Sequence, residues 1–285
     1  SKGMVKRWET VIKKSDPGPR ASHMTPVLDF NRDGIDELFW GERLISIDTG
    51  REVMNFAKEY NGHSDFIVPF EDYDTGRRYI FTCREDGETK NSKRRYVCNE
   101  DGTTAWSALD QGHMHNAWVA NILDGHRKVV MSMRVKFQPD KKEDKYVHAY
   151  DNEWYFDAYS GEQIEWEIPV KGSDLKPIDI DGDGYHEFFC VNGENIGRFY
   201  DRNGNEIFKL EDSANVMKTG KIFKSLEGEQ LMAYYPDEGK IRIWGDIEAK
   251  DGPVIRQRYQ DGYLDFMQKM MASGYNAGFN ISMGI

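Results

Sequence analysis

The chain has 285 residues, 39% hydrophobic and 31% charged, enough for one large domain with a sizeable core. A formal net charge of −11 argues against a nucleic-acid partner, because phosphate binding rests on clustered Lys and Arg. No apolar run approaches the ~20 residues that span a bilayer, so no membrane role is expected.

The first stretch, SKGMVKRWETVIKK, lacks the apolar h-region of a signal peptide. Within it MVKRWETVIKK reads as the fourth strand of a unit whose first three strands are not in this sequence, comparable to EQIEWEIPV further on. From His23 the chain reads HMTPVLDFNRDGIDELFWG, and from Ser173 it reads SDLKPIDIDGDGYHEFFCVNG. The two align without a gap, Asp29 on Asp179 and Glu37 on Glu187. Weaker copies begin at His63, His115 and near Ser213, so units start at 23, 63, 115, 173 and 213. Each unit reads as four short strands, which in the first are PVLDF, ELFWG, LISID and VMNFAK. Turn residues at 31–34, 41–42 and 49–50 separate them. The fifth unit offers VMKTGK, QLMAYY, KIRIWG and VIRQRY. Four strands per unit, at intervals of 40 residues or more, predict an all-β fold of the β-propeller type. About five four-stranded blades are expected here, in one domain over 1–285, as the C-terminal part of a larger propeller. A sandwich would not explain the repeat. The segment 263–285 has helix-like spacing and is expected to pack as a cap.

The second and third units are lengthened by CREDGETKNSKRRYVC and RVKFQPDKKEDKYVHAYDNEWY. These carry two basic islands, Lys90, Lys93, Arg94 and Arg95, and Lys136, Lys141, Lys142 and Lys145. They are either solvated loop charge or a local attractor for an anionic ligand. Of the three cysteines, Cys83 and Cys98 flank the first insertion, as a disulfide or as buried thiols, and Cys190 is left over.

Asp29-x-Asn31-x-Asp33-Gly34 and Asp179-x-Asp181-x-Asp183-Gly184 place oxygen side chains at alternate positions around a glycine turn, and Glu37 and Glu187 return from the next strand. Ca²⁺ takes six to eight oxygens, which this pattern supplies from one short loop. The spacing to the last Glu is too short for an EF-hand. A structural Ca²⁺ is expected in each loop, and an Asx turn satisfied by backbone amides is the alternative.

His23, His63 and His115 occupy the same position, just before the first strand of their units, with His113 two residues ahead of His115. Innermost strands line a propeller's channel, so these imidazoles converge on one funnel. One use is a Zn²⁺ site of His63 and His115 with Asp65 and Cys83. The other is acid–base catalysis. Arg20, Arg43, Arg84 and Arg134 lie near the same strand ends, and an arginine fork pairs bidentately with a carboxylate. Histidines, arginines and basic loops together suggest an acidic sugar polymer.

SHMTPVLDFNRDGIDELFWGER, GHSD, GHMHNAWVA and DIDGDGYHE resemble the propeller polysaccharide lyases, most of all the ulvan lyases, with rhamnogalacturonan lyases as relatives. The resemblance covers about residues 15 to 285. It implies a secreted, periplasmic or cell-surface monomer with a seven-bladed propeller, whose N-terminal blades are not in this sequence. It implies cleavage of a uronic-acid polysaccharide by β-elimination. His23 then matches the family's catalytic histidine and Arg134 its neutralising arginine. Trp118 is the aromatic nearest to the family's tyrosine and cannot transfer a proton, and Arg43 stands where a second histidine is expected. His113, His115 or Tyr146 are the substitutes. Arg20, His63, Trp118, Arg94, Arg95 and Tyr146 are expected to bind substrate. A carbohydrate-binding or scaffold propeller with structural Ca²⁺ and no chemistry is the alternative.

Overall fold

The computed structural model describes residues 3–58, 60, 62–84, 95–108, 113–135, 150–210 and 215–260. For His63, Arg95, His113, His115, Asn116 and Arg134, and for 135, 150–152 and 215–217, the strand position alone is described.

A short strand β1 (Ala21–Ser22) precedes the first antiparallel meander, β2 (Val27–Leu28), β3 (Glu37–Trp40), β4 (Arg43–Ser46) and β5 (Glu52–Asn55). The second is β6 (His63–Glu71), β7 (Arg78–Arg84), β8 (Arg95–Asn99) and β9 (Thr104–Ala108), with β1 added in parallel on β6. The third is β10 (His113–Leu123), β11 (Arg127–Val135), β12 (Tyr150–Asp157) and β13 (Gln163–Ile164). The fourth is β14 (Leu175–Ile178), β15 (Glu187–Cys190), β16 (Arg198–Tyr200) and β17 (Glu206–Lys209). Among the described residues the fifth holds three strands, β18 (Asn215–Gly220), β19 (Gln230–Tyr235) and β20 (Lys240–Trp244), and is followed by helix α1 (Pro253–Gln260).

The sheets pack face to face in chain order. Along β6, Phe66 and Val68 join a core shared with Met114, Val119 and Val130 of the third sheet. Ile67, between them, joins Leu28, Phe39 and Leu44 of the first. Side chains alternate across a strand, so a sheet apolar on both faces can be sandwiched between two others. The same holds along β14 and β15, where Leu175 and Phe188 face Trp118 and Met131 while Ile178 and Phe189 face Leu231 and Ala233. Inner strands neighbour one another, β6 with β10, β10 with β14 and β14 with β18. This is a propeller-like arrangement, with cores between successive sheets.

A repeated latch sits at the outer strands. The Trp106 indole donates to the Ala158 carbonyl at 2.9 Å, and that of Trp166 to the Arg202 carbonyl at 2.8 Å, each reaching the next sheet. Trp8 repeats this on the first sheet, donating to Ile47 O at 2.6 Å, with Thr10 bonded to Gly50. Gly50 and Gly161 lie under the rings of Trp8 and Trp106. A Cβ at either would meet the indole at 2.6 Å, and both have φ near +70°.

Two expectations are corrected, and one open alternative is resolved. MVKRWETVIKK forms no strand, although Trp8 occupies an outer-strand latch position, because no neighbouring strand pairs with it among the described residues. VIRQRY is not a strand but most of α1. Pro253 starts it with a preset φ, and Val254, Ile255 and Arg258 bury one helical face. Cys83 and Cys98 are buried free thiols, as is Cys190. Cys83 faces the core toward the third sheet and Cys98 the core toward the first, on opposite sides of one sheet. The expected cap at 263–285 lies outside the described residues.

Candidate functional site

Contacts join the far ends of successive inner strands, Arg78 with Asp29 O, Tyr73 with His126, His186 N with Asn121 O and Thr219 Oγ1 with Pro177 O, so these strands share a leading end, where they start, and a trailing end. The carboxylate loops lie at the trailing end, between β2 and β3 and between β14 and β15. Their hydrogen bonds match position for position. Glu37 accepts from Phe30 N at 2.9 Å and Glu187 from Ile180 N at 3.0 Å. Asn31 and Asp181 accept from the amides of Asp33 and Asp183. Asp29 accepts from Gly34 N at 3.0 Å and Asp179 from Gly184 N at 3.3 Å. Carboxylate oxygens of Asp29, Asp33 and Glu37, and of Asp179, Asp181 and Glu187, come within 4.8 Å of one another.

The amides alone do not satisfy the first loop. Asp29 Oδ1 and Glu37 Oε1 are buried without a hydrogen-bond partner, an arrangement a cation would complete. Burial and the neighbouring carboxylates push Glu37 up, and Glu187 far up, from the usual carboxylate range. A hard divalent cation would offset both causes. The donor set is all oxygen, so these residues fit Ca²⁺.

Helix α1 crosses the trailing end. The buried Arg258 pairs with Asp179 and with Glu229, each at 3.1 Å, and Tyr259 donates to Glu229 at 2.6 Å. Gln257 donates to Tyr73 O at 3.3 Å on the second sheet. Lys250 N and Gly252 N bond the carbonyls of Asp181 and Gly182 in the second loop. Under the helix opens a cavity lined by Glu71, Tyr73, Asn121, Lys128, Val254, Gln257 and Arg258. Burial, reinforced by the Arg258 charge, lowers Lys128 to about 7.

At the leading end, Ser22 Oγ turns back onto Met24 O and Ser64 O, so the chain leaves β1 at His23. His23 N bonds Ser64 O at 3.1 Å, and His23 Nδ1 lies 3.3 Å from Oδ1 of Asp65. The imidazole is 30% exposed and the carboxylate fully buried. Beside them Glu42 is buried and accepts from Ser64 Oγ at 2.7 Å, Thr82 Oγ1 at 2.5 Å and Arg84 Nε at 3.2 Å. The Arg84 guanidinium stacks 3.8 Å over the Tyr96 ring and 4.7 Å over that of Tyr60.

The register adds a feature with no clear sequence signal. β6 carries a bulge between Ser64 and Phe66, β10 between Met114 and Ala117, and β18 between Val216 and Lys218. All three lie at the leading end, and bulges re-aim side chains there. Arg84 pairs with Ser64 and Arg134 with Met114, so the two arginines hold equivalent positions just before their bulges. His113 pairs with Val135 at the same end, and His63 with Ala21.

Other sequence candidates sit elsewhere. The Arg43 guanidinium is taken up by Glu52 and by the carbonyls of Pro17 and Pro19. Trp118 is buried between the third and fourth sheets, its indole bonded to Gly172 O at 2.9 Å. Trp40 holds the entry segment by donating to Arg20 O at 2.7 Å. Cys83 lies in an apolar core, and among the described residues no trio of metal-binding side chains includes it or Asp65. Arg94 and Tyr146 lie outside the described residues. Glu42, Tyr60 and Tyr96 were not singled out in the sequence, because nothing local marks a buried cluster assembled from two sheets.

No family model and no curated protein matches the chain. Among solved structures it is similar to the exotype rhamnogalacturonan lyase YesX, with a TM-score of 0.57 and 21% identity, over 79% of this chain and 37% of that one. It is also similar to the rhamnogalacturonan lyase YesW, with a TM-score of 0.55 and 18% identity, over 79% and 36%. The likeness is one of fold, and the chain spans little more than a third of the length of these lyases.

Proposed function

We propose that this chain belongs to a polysaccharide lyase that cleaves an anionic, uronate-bearing polymer by β-elimination. The observation that carries the reading is a part-exposed imidazole, His23, seated on a buried carboxylate where the bulged inner strands begin. The likeness in fold to two rhamnogalacturonan lyases supports the reaction class. In this reading Arg134 pairs with the uronate carboxylate and makes the C5 proton more acidic. Arg134 is preferred over Arg43 and Arg84 because those guanidinia are held inside the protein. His23 removes the C5 proton, the C–H electron pair becomes the C4–C5 double bond, and the C4–O bond breaks. An acid protonates the departing oxygen, a role for His113 or His115. The polymer is ulvan-like or rhamnogalacturonan-like, is met outside the cytoplasm, and the loops at 29–37 and 179–187 hold structural Ca²⁺.

The test is ultraviolet absorbance of the unsaturated uronate during incubation with ulvan, rhamnogalacturonan, pectin and glycosaminoglycans. A rise on one polymer, lost in His23→Ala and Arg134→Ala, is the expected result. Retention of a polymer in an affinity gel with no rise on any would replace the lyase by a binding propeller.

A further inference from the structure

We propose that Arg258 of α1 competes with a divalent cation for Asp179, so that helix docking and cation binding at the second carboxylate loop oppose each other, while the first loop is free of this competition. This rests on the calcium reading of the two loops and is independent of the lyase reading.

The two loops differ at one oxygen. Each opens with an aspartate that gives one oxygen to a glycine amide, Asp29 to Gly34 at 3.0 Å and Asp179 to Gly184 at 3.3 Å. The other oxygen is the one left for a cation. In the first loop it is Asp29 Oδ1, which is buried and accepts no hydrogen bond. In the second it is Asp179 Oδ2, which lies 3.1 Å from Arg258 Nη1. A positive side chain from α1 thus stands where the first loop keeps its oxygen open.

The arginine is held there. The same nitrogen is 3.1 Å from Glu229 Oε1, which also accepts from Tyr259 at 2.6 Å. Glu229 in turn accepts from Asp179 N through Oε2 and donates its own amide to Asp179 O. The side chains of Asp179, Glu229 and Arg258 are 2% exposed or less, so water screens their charges little. The segment leading into α1 also roofs this loop. Lys250 N and Gly252 N bond the carbonyls of Asp181 and Gly182, and a Cβ on Gly184 would meet Val254 at 2.7 Å. A Cβ on the matching Gly34 would meet nothing within 4 Å. Carboxylate count favours the second loop, which has Asp181 where the first has the Asn31 amide. The guanidinium offsets that advantage, because its charge repels a cation and draws on the same oxygen. By reciprocity, a cation in the second loop weakens the hold of Asp179 on α1.

The test uses the full chain, freed of metal by a chelator and titrated with Ca²⁺ in a calorimeter. Glu37→Gln leaves the second loop to be read, and Glu187→Gln leaves the first. Adding Arg258→Gln to Glu37→Gln should tighten the remaining event about tenfold or more. Adding it to Glu187→Gln should leave the remaining event unchanged. Hydrogen exchange decides the matter where the arginine variant does not fold. In Glu37→Gln, Ca²⁺ should speed exchange of the α1 amides, and in Glu187→Gln it should not. An affinity of the second loop that is unchanged or weaker in a folded Arg258→Gln, an equal gain at both loops, or α1 amides slowed or unaffected by Ca²⁺ in Glu37→Gln overturns the proposal and leaves the calcium reading standing. Absence of any Ca²⁺ event in the wild-type chain defeats both.

Discussion

His23 and Arg43 stand 20 positions apart, the one matching a catalytic histidine and the other standing where a second histidine is expected, and their polar atoms are used in opposite ways. Arg43 is consumed by Glu52 and two proline carbonyls, while His23 keeps part of its ring exposed against a buried acid. Lys128 offers a third use, that of a cation buried beside Arg258 and lowered from 10.5 to about 7. Between those pH values the unfolded chain holds the proton that the folded chain has lost, so stability should rise with pH across that window and be least below about 7. The slope from this one group is roughly 1.4 kcal/mol per pH unit. Urea unfolding at several pH values should find this contribution absent in Lys128→Met, which should gain most at low pH. Equal slopes in the two proteins would show that Lys128 stays charged when folded. Residue-scale roles of this kind were poorly legible in the sequence, since a Lys or Arg does not declare which neighbour will face it.

Elements assembled by local rules were legible. Each carboxylate loop is closed by bonds between residues at most seven apart, so its geometry follows from its own letters. A cation that binds only the folded loops at 100 times its dissociation constant adds about 2.7 kcal/mol. Chelation should therefore lower the thermal midpoint by several degrees, Ca²⁺ should restore it, and Glu37→Gln should reduce the difference. A midpoint indifferent to both would leave the loops as amide-satisfied turns. Helix α1 was not legible as a helix, because VIRQRY has β-branched and aromatic residues that suit a strand equally well. Its fate is decided by Arg258, which meets Asp179 and Glu229 only if the segment coils across the trailing end. Arg258→Leu leaves two buried carboxylates without their cation and should cost roughly 3–5 kcal/mol in chemical denaturation. A loss below about 1 kcal/mol would mean that those acids become protonated without strain.

On the scale of the molecule, the sheets are joined by face-to-face cores and by the indole latches of Trp8, Trp106 and Trp166. The Trp8 and Trp106 latches have no slack, because Gly50 and Gly161 under their rings admit no Cβ. Gly161→Val should separate the second sheet from the third and destabilise by roughly 2 kcal/mol or more, through overpacking and positive φ together. Proteolysis between sheets should rise in parallel, and an unchanged midpoint would show that the latch is dispensable. The direction of the inner strands also divides labour in space, with oxygen-rich loops at one end and the imidazole at the other.

The sequence alone determined the all-β character, the rhythm of the units and the two carboxylate loops. These depend on alternation and on contacts within a few residues, which are written in consecutive letters. Tertiary structure alone decided that Asp65 meets His23, that Arg84 is spent on Glu42, and that the last expected strand coils into a helix. Each of these joins groups from different sheets, or from a sheet and a helix, and is settled by which buried charges and apolar faces need covering once the sheets have packed.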